Sequence, residues 1–171
     1  MADYSFDKVY SSIVDKYLNN DSVSSLKEIP HHNSNRLNHC LKVSYLSYKI
    51  TKKMNLDYES AAIGGLLHDL YFDRVADKET KKEKIKLFTG GHPKDALKNA
   101  TDLFELNELE KDIIVSHMWP LSLKVPKHRE SFIVSMVDKA VSTKEFSNKF
   151  HMYASNTFGI YFLLLINLIF K

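Results

Sequence analysis

An all-α, single-domain helical bundle is the fold this sequence predicts, and three observations predict it. Apolar residues recur with helical spacing along most of the chain, and no stretch alternates as a half-buried strand does. Punctuation is sparse, with five Gly and four Pro in 171 residues, which favours long helices over many short strands. A chain of this length buries a core without disulfide or metal staples.

Taken in order, the periodicity places a first helix from Phe6 to Leu18, stopped by the Asn19-Asn20-Asp21 cluster. Pro30 to Asn35 reads as a loop. A second helix starts at Asn35 or Arg36 and runs to Met54, and a third covers Tyr58 to Leu70. A Lys-rich stretch and Gly90-Gly91 follow. Helices are then expected from Pro93 to Phe104, from Glu108 to Met118 (ended by Pro120), and from His128 to Phe150. The apolar segment FGIYFLLLINLIF, Phe158 to Phe170, makes the last.

Composition narrows the function classes. The chain is 44% hydrophobic and 26% charged, as ordinary globular proteins are, which argues against disorder. Its formal charge of +3, from 24 basic and 21 acidic residues, is small and dispersed, which argues against nucleic acid as a partner. The one cysteine, Cys40, excludes an internal disulfide. It reads as core. No secretory signal is visible in MADYSFDKVY, so a cytoplasmic location is expected. The 13 residues of the apolar C-terminal segment fall short of the roughly 17–25 that span a bilayer. That segment is expected to pack on the domain or at a homodimer interface rather than to cross a membrane.

The chemistry lies in a set of histidines and aspartates on inward helix faces. By helical arithmetic His39 shares a face with Val43, Leu46 and Ile50, with Arg36 one turn earlier. His68 and Asp69 close the run AAIGGLLHDL, apolar all round and so expected to be buried. Gly64 and Gly65 within that helix cost about 1 kcal/mol each relative to Ala, which predicts a close neighbour there. His117 follows Leu109 and Ile113 at four-residue steps, and Asp138 sits between Val134 and Val141. A lone buried His is usually a hydrogen-bonded core residue. An adjacent His-Asp pair with further His and Asp on other inner faces is hard to satisfy without a cation. Mixed imidazole and carboxylate suits transition metals better than Mg or Ca.

The pattern resembles the HD superfamily of metal-dependent phosphohydrolases: His39 in RLNHCLKV, His68-Asp69 in GLLHDL and Asp138 in SMVDKAVS. The two histidines that two-metal members add fall at His92, in GGHPKDAL, and His117, in SHMWPL. The resemblance covers Arg36 to Glu145 and is similar in layout to small bacterial two-metal members, the diadenosine tetraphosphate hydrolases among them. The GYP element of the cyclic-di-GMP branch is missing, since MWPLSLKVP follows His117.

The resemblance implies an HD-type bundle with residues 31–150 as the metal-binding domain, 1–30 as an N-terminal helix and loop, and 151–171 as the apolar C-terminal helix. It implies that His39, His68, Asp69 and Asp138 hold one divalent metal, with Asp69 bridging to a second held by His92 and His117. One or two divalent metals are expected in all, iron or manganese, with zinc, cobalt or nickel as alternatives. Metal-activated water would then hydrolyse a phosphate ester or anhydride, a nucleotide being the expected substrate. The alternative is a non-catalytic regulatory or ligand-binding HD module.

Three further residues are candidates. Arg36 could bind phosphate bidentately or be a surface residue at a helix start. Asp73 could orient a ligand or water, or be solvated. Lys139 could meet phosphate, or form a surface ion pair worth at most about 1 kcal/mol. His31, His32, His128 and His151 lie outside the pattern. The charged run ADKETKKEKIK reads as a solvated face, with a lid as the functional alternative.

Overall fold

Short Asn and Asp side chains open most of the helices, each accepting a backbone N–H that the first turn leaves unpaired. Asp7 caps α1 (Lys8–Leu18) through Tyr10 N, and Asn20 caps α2 (Asp21–Ser24) through Ser22 N. Asn35 caps α3 (Arg36–Lys53) through Asn38 N, and Asp57 caps α4 (Tyr58–Leu67) through Ser60 N. The next helix, α5, spans His92–Leu103. A reciprocal capping box of Asn107 and Glu110 starts α6 (Glu108–Ser116). The last, α7, spans Arg129–Ser147. This computed structural model describes residues 4, 6–31, 34–72 and 92–147.

The fold class is the one expected, and the differences are local. The Asn19-Asn20-Asp21 stop is followed at once by α2 and a 3₁₀ turn, Ser25–Glu28, anchored by buried Val23 and Leu26. The expected loop at Pro30–Asn35 contains a two-residue antiparallel ladder, β1 (Pro30–His31) with β2 (Ser34–Asn35). Asn55, at φ 54°, takes the left-handed conformation that ends α3. Its N–H donates to Lys52 O at 3.2 Å, and Leu56 N donates to Thr51 O at 3.0 Å, so two orphan carbonyls of the last turn are satisfied.

Helix α3 lies at the centre, packed on α4 and α7, while α6 packs on α4, α5 and α7. The expected apolar stripe on α3 holds for His39 and Val43 and then fails, because Leu46 and Ile50 are 44% and 39% exposed. The buried face runs instead through Ser44, Ser47, Tyr48 and Thr51. Hydroxyls line it: Tyr10 Oη donates to Ser44 Oγ at 2.9 Å, and Ser44 Oγ donates to Ala62 O at 2.6 Å. An apolar count cannot see such a face.

The two glycines of α4 are where its neighbours come closest. A Cβ on Gly65 would stand 2.9 Å from Ser44 Cα, and one on Gly64 would stand 2.6 Å from Ile113 Cγ2. So α4 is wedged between α3 and α6, which brings the residue pair after its last turn into the centre of the bundle. The segment 73–91 (with Asp73 and the charged run) and 148–171 (with the apolar C-terminal segment) lie outside the described residues. Among the described residues, no helix is long and apolar enough to cross a membrane.

Candidate metal centre

His68 was expected inside a helix running to Leu70, but α4 ends at Leu67 and His68 is its C-cap. His117 likewise was expected within a helix to Met118 and is the C-cap of α6. The correction has a chemical consequence. At a helix end carbonyls lose their intrahelical partners, and each imidazole supplies one. His68 Nδ1 donates to Gly65 O at 2.8 Å, and His117 Nδ1 donates to Ile114 O at 2.7 Å. A carbonyl only accepts, so both rings carry the proton on Nδ1 and turn a bare Nε2 inward.

Four more side chains converge on those lone pairs. Asp69 follows His68 in the turn, His39 comes from the first turns of α3, Asp138 from the middle of α7, and His92 opens α5. All six are buried. His39 Nε2 lies 3.1 Å from Asp138 Oδ1, and His68 Nε2 lies 3.7 Å from the same oxygen. Asp69 turns Oδ2 toward His68 Nε2, at 3.8 Å. Its Oδ1 faces His92 Nε2 at 3.6 Å and His117 Nε2 at 3.5 Å. Three overlapping triads each bring ligand atoms within 4.8 Å of one another: His39-His68-Asp69, His68-His117-Asp138 and Asp69-His92-His117.

The electrostatics of this cluster favour a cation. Burial alone would raise the Asp69 carboxyl, but positive charge on the surrounding imidazoles, His68 first, outweighs it and holds the group below the usual carboxylate range. Burial likewise opposes ionisation of Asp138, and Lys139 and His39 overcome it, so its carboxyl is also held well down. Burial, with His68 alongside, pushes the His117 imidazole down to about 3, which keeps it neutral. His68 Nε2 and Asp69 Oδ1 are buried and have no hydrogen-bond partner among the described residues. Two orphaned acceptors facing a common space leave a desolvation cost that a bound metal would remove. Imidazole and carboxylate donors fit a transition metal.

The HD domain family model matches residues 36–141, more than half of the chain. The chain belongs to the HD family. HD domains are typically metal-dependent phosphohydrolases, and the buried His/Asp cluster of this one can hold metal. No curated protein and no solved structure matches the chain.

Around the HD cluster the softer candidates separate. Arg36 is only 3% exposed, so it is not a surface residue. Its guanidinium lies 3.9 Å from the centre of the Tyr71 ring and donates through Nη1 to Tyr71 O, two residues after Asp69. The Lys139 side chain is 12% exposed and is not a surface pair either. Its ammonium donates to Asp138 Oδ2 at 2.9 Å and to His117 O. Cys40 is buried, and burial pushes its thiol up, as suits a core residue.

One residue was missed. Glu145, two turns after Asp138 on α7, places Oε2 3.0 Å from His39 Nδ1 and accepts from Lys42 Nζ through Oε1 at 2.6 Å. The signal was available, because a seven-residue step from Asp138 keeps the same helix face.

Proposed function

We propose that this protein is a hydrolase of phosphate esters or anhydrides, with a nucleotide as substrate, working on two divalent transition metals. The observation that carries the reading is the division of labour within Asp69. One oxygen faces His68 and the other faces His92 and His117, the placement a bridging carboxylate needs. His39, His68, Asp69 and Asp138 would hold the first metal, and Asp69, His92 and His117 the second. Iron and manganese suit this donor set best, with zinc, cobalt and nickel behind them.

When bound, the metals would activate water at neutral pH and offset the charge that builds on the phosphoryl oxygens. The chain's own part is preorganisation. The helix-end carbonyls of Gly65 and Ile114 fix two imidazoles in one tautomer, so no ring has to turn when an ion enters. Lys139 holds the second oxygen of Asp138 and keeps that carboxylate from rotating. Arg36, beside Tyr71 on the His-Asp turn, is assigned to steadying that turn and meeting substrate phosphate. Asp73, just beyond the described residues, is assigned to orienting a ligand or water. Residues 31–150 would form the catalytic domain, and the apolar C-terminal segment would pack on it or on a second copy.

The test is Asp69→Ala, assayed on a nucleotide panel with Mn²⁺. Hydrolysis should be lost and both metals loosened while helicity is kept, since the fold rests on apolar packing. Substantial residual hydrolysis would overturn the assignment.

A further inference from the structure

His39 differs from the other two inner imidazoles whose tautomer is fixed. For His68 and His117 the Nδ1 proton goes to a carbonyl of the same helix, three residues back. For His39 the group facing Nδ1 is a carboxylate from a different helix, Glu145 on α7. Asp138 and Glu145 are seven residues apart on that helix and face α3 together. Between them they hold His39 at both ring nitrogens, Nε2 3.1 Å from Asp138 Oδ1 and Nδ1 3.0 Å from Glu145 Oε2.

We propose that Glu145 is the positioning residue for His39: its carboxylate receives the Nδ1 proton and so commits Nε2, on the Asp138 side, to metal. The inference rests on the metal-holding reading of the cluster and adds a residue to it. Three features support it. The Glu145 carboxylate is 9% exposed, so its hydrogen bond to His39 is shielded from competing water. His39 Nδ1 and Lys42 Nζ lie 3.0 and 2.6 Å from its two oxygens, and two donors on one carboxyl favour the ionised form, which only accepts. Lys42 lies one turn after His39 and takes the other oxygen, which fixes the carboxylate plane as well as its position.

An anionic acceptor also makes the imidazole a better donor to metal than a neutral carbonyl does. His39 thereby gains basicity that the two helix-end histidines lack. The arrangement further ties the last described turn of α7 to the metal centre.

The experiment measures zinc binding to the full chain, using Zn²⁺ alone because it is diamagnetic. Glu145→Ala should weaken the first Zn²⁺ by about 10- to 100-fold. Glu145→Gln, whose amide oxygen can still accept, should weaken it less. Nitrogen NMR of the zinc-loaded wild type should show His39 with Nδ1 protonated and Nε2 on metal, and Glu145→Ala should lose that slowly exchanging Nδ1 proton. If both variants bind zinc as tightly as wild type and only melt earlier, Glu145 is a packing residue and the inference falls. If Glu145→Ala does not fold, the isosteric Gln variant decides by the same affinity criterion. A wild type that binds no zinc, manganese or iron would instead bring down the metal reading itself, and this inference with it.

Discussion

The Nε2 atoms of His92 and His117 face each other at 3.1 Å, with Asp69 Oδ1 3.6 and 3.5 Å away. His117 Nδ1 already donates to Ile114 O, and burial keeps the ring neutral, so its Nε2 brings no proton to this contact. Two nitrogens and a carboxylate oxygen on one small volume are the donors assigned to the proposed second metal. The double variant His92→Ala/His117→Ala should therefore lower the manganese content measured by elemental analysis from near two per chain to near one. An unchanged content near one in wild type and variant would remove the second site.

A metal held as proposed would have to displace the proton that His39 carries. Burial pulls the His39 imidazole down, but hydrogen bonds with Asp138 and Glu145 prevail and push it up to about 9. Below that pH the metal-free ring is protonated, and one proton leaves for each metal bound at that position. Apparent affinity should thus fall about tenfold per pH unit from pH 9 toward pH 6. Manganese titrations at pH 6.5, 7.5 and 8.5 check it, and a flat profile would show that His39 is not the group being displaced.

How far the sequence reached depended on what each residue contacts. Helix existence was legible because apolar residues recur with helical spacing and Gly and Pro are sparse. The inward placement of His39, His68, Asp69, His117 and Asp138 was legible as helical spacing, whereas His92 entered only through the resemblance to the HD superfamily. The tautomers were not legible. They follow from α4 and α6 ending one residue before His68 and His117, and helix ends are the least certain feature of a sequence reading. Leu46 and Ile50 misled because the neighbouring face of α3 is buried through hydroxyls rather than hydrocarbon. For Arg36 and Lys139 a phosphate contact and a surface charge both stayed open, because nothing local shows that Tyr71 covers one and the His117 carbonyl receives the other.

The glycines of α4 give a stability prediction. Ala is intrinsically better than Gly inside a helix by about 1 kcal/mol. At Gly65 that gain is opposed by backbone, since the new Cβ would stand 2.9 Å from Ser44 Cα and α3 would have to move away. Overpacking of this kind costs about 1–3 kcal/mol, and a rigid neighbour puts it at the upper end. Gly65→Ala should therefore lower the melting temperature despite its better helix propensity. A rise in melting temperature would show that α3 and α4 can separate freely.

Lys139 offers a test in which metal changes the size of a mutational effect. Its ammonium holds Asp138 Oδ2 at 2.9 Å, where the carboxylate is 9% exposed and the lysine 12%. Replacing it with methionine keeps most of the aliphatic stem and removes the charge, leaving a buried carboxylate with less compensation. Breaking a buried pair in this way costs about 3 kcal/mol. The same ammonium also serves the last carbonyl of the α6 cap, His117 O, so part of the loss is structural and independent of metal. A cation bound by Asp138 would restore the missing positive charge but not that carbonyl contact. Lys139→Met should accordingly destabilise the metal-free protein strongly and the manganese-loaded protein less, in paired denaturant titrations. Equal losses in the two states would mean that Lys139 acts through the His117 carbonyl alone, and that Asp138 does not depend on it for charge balance.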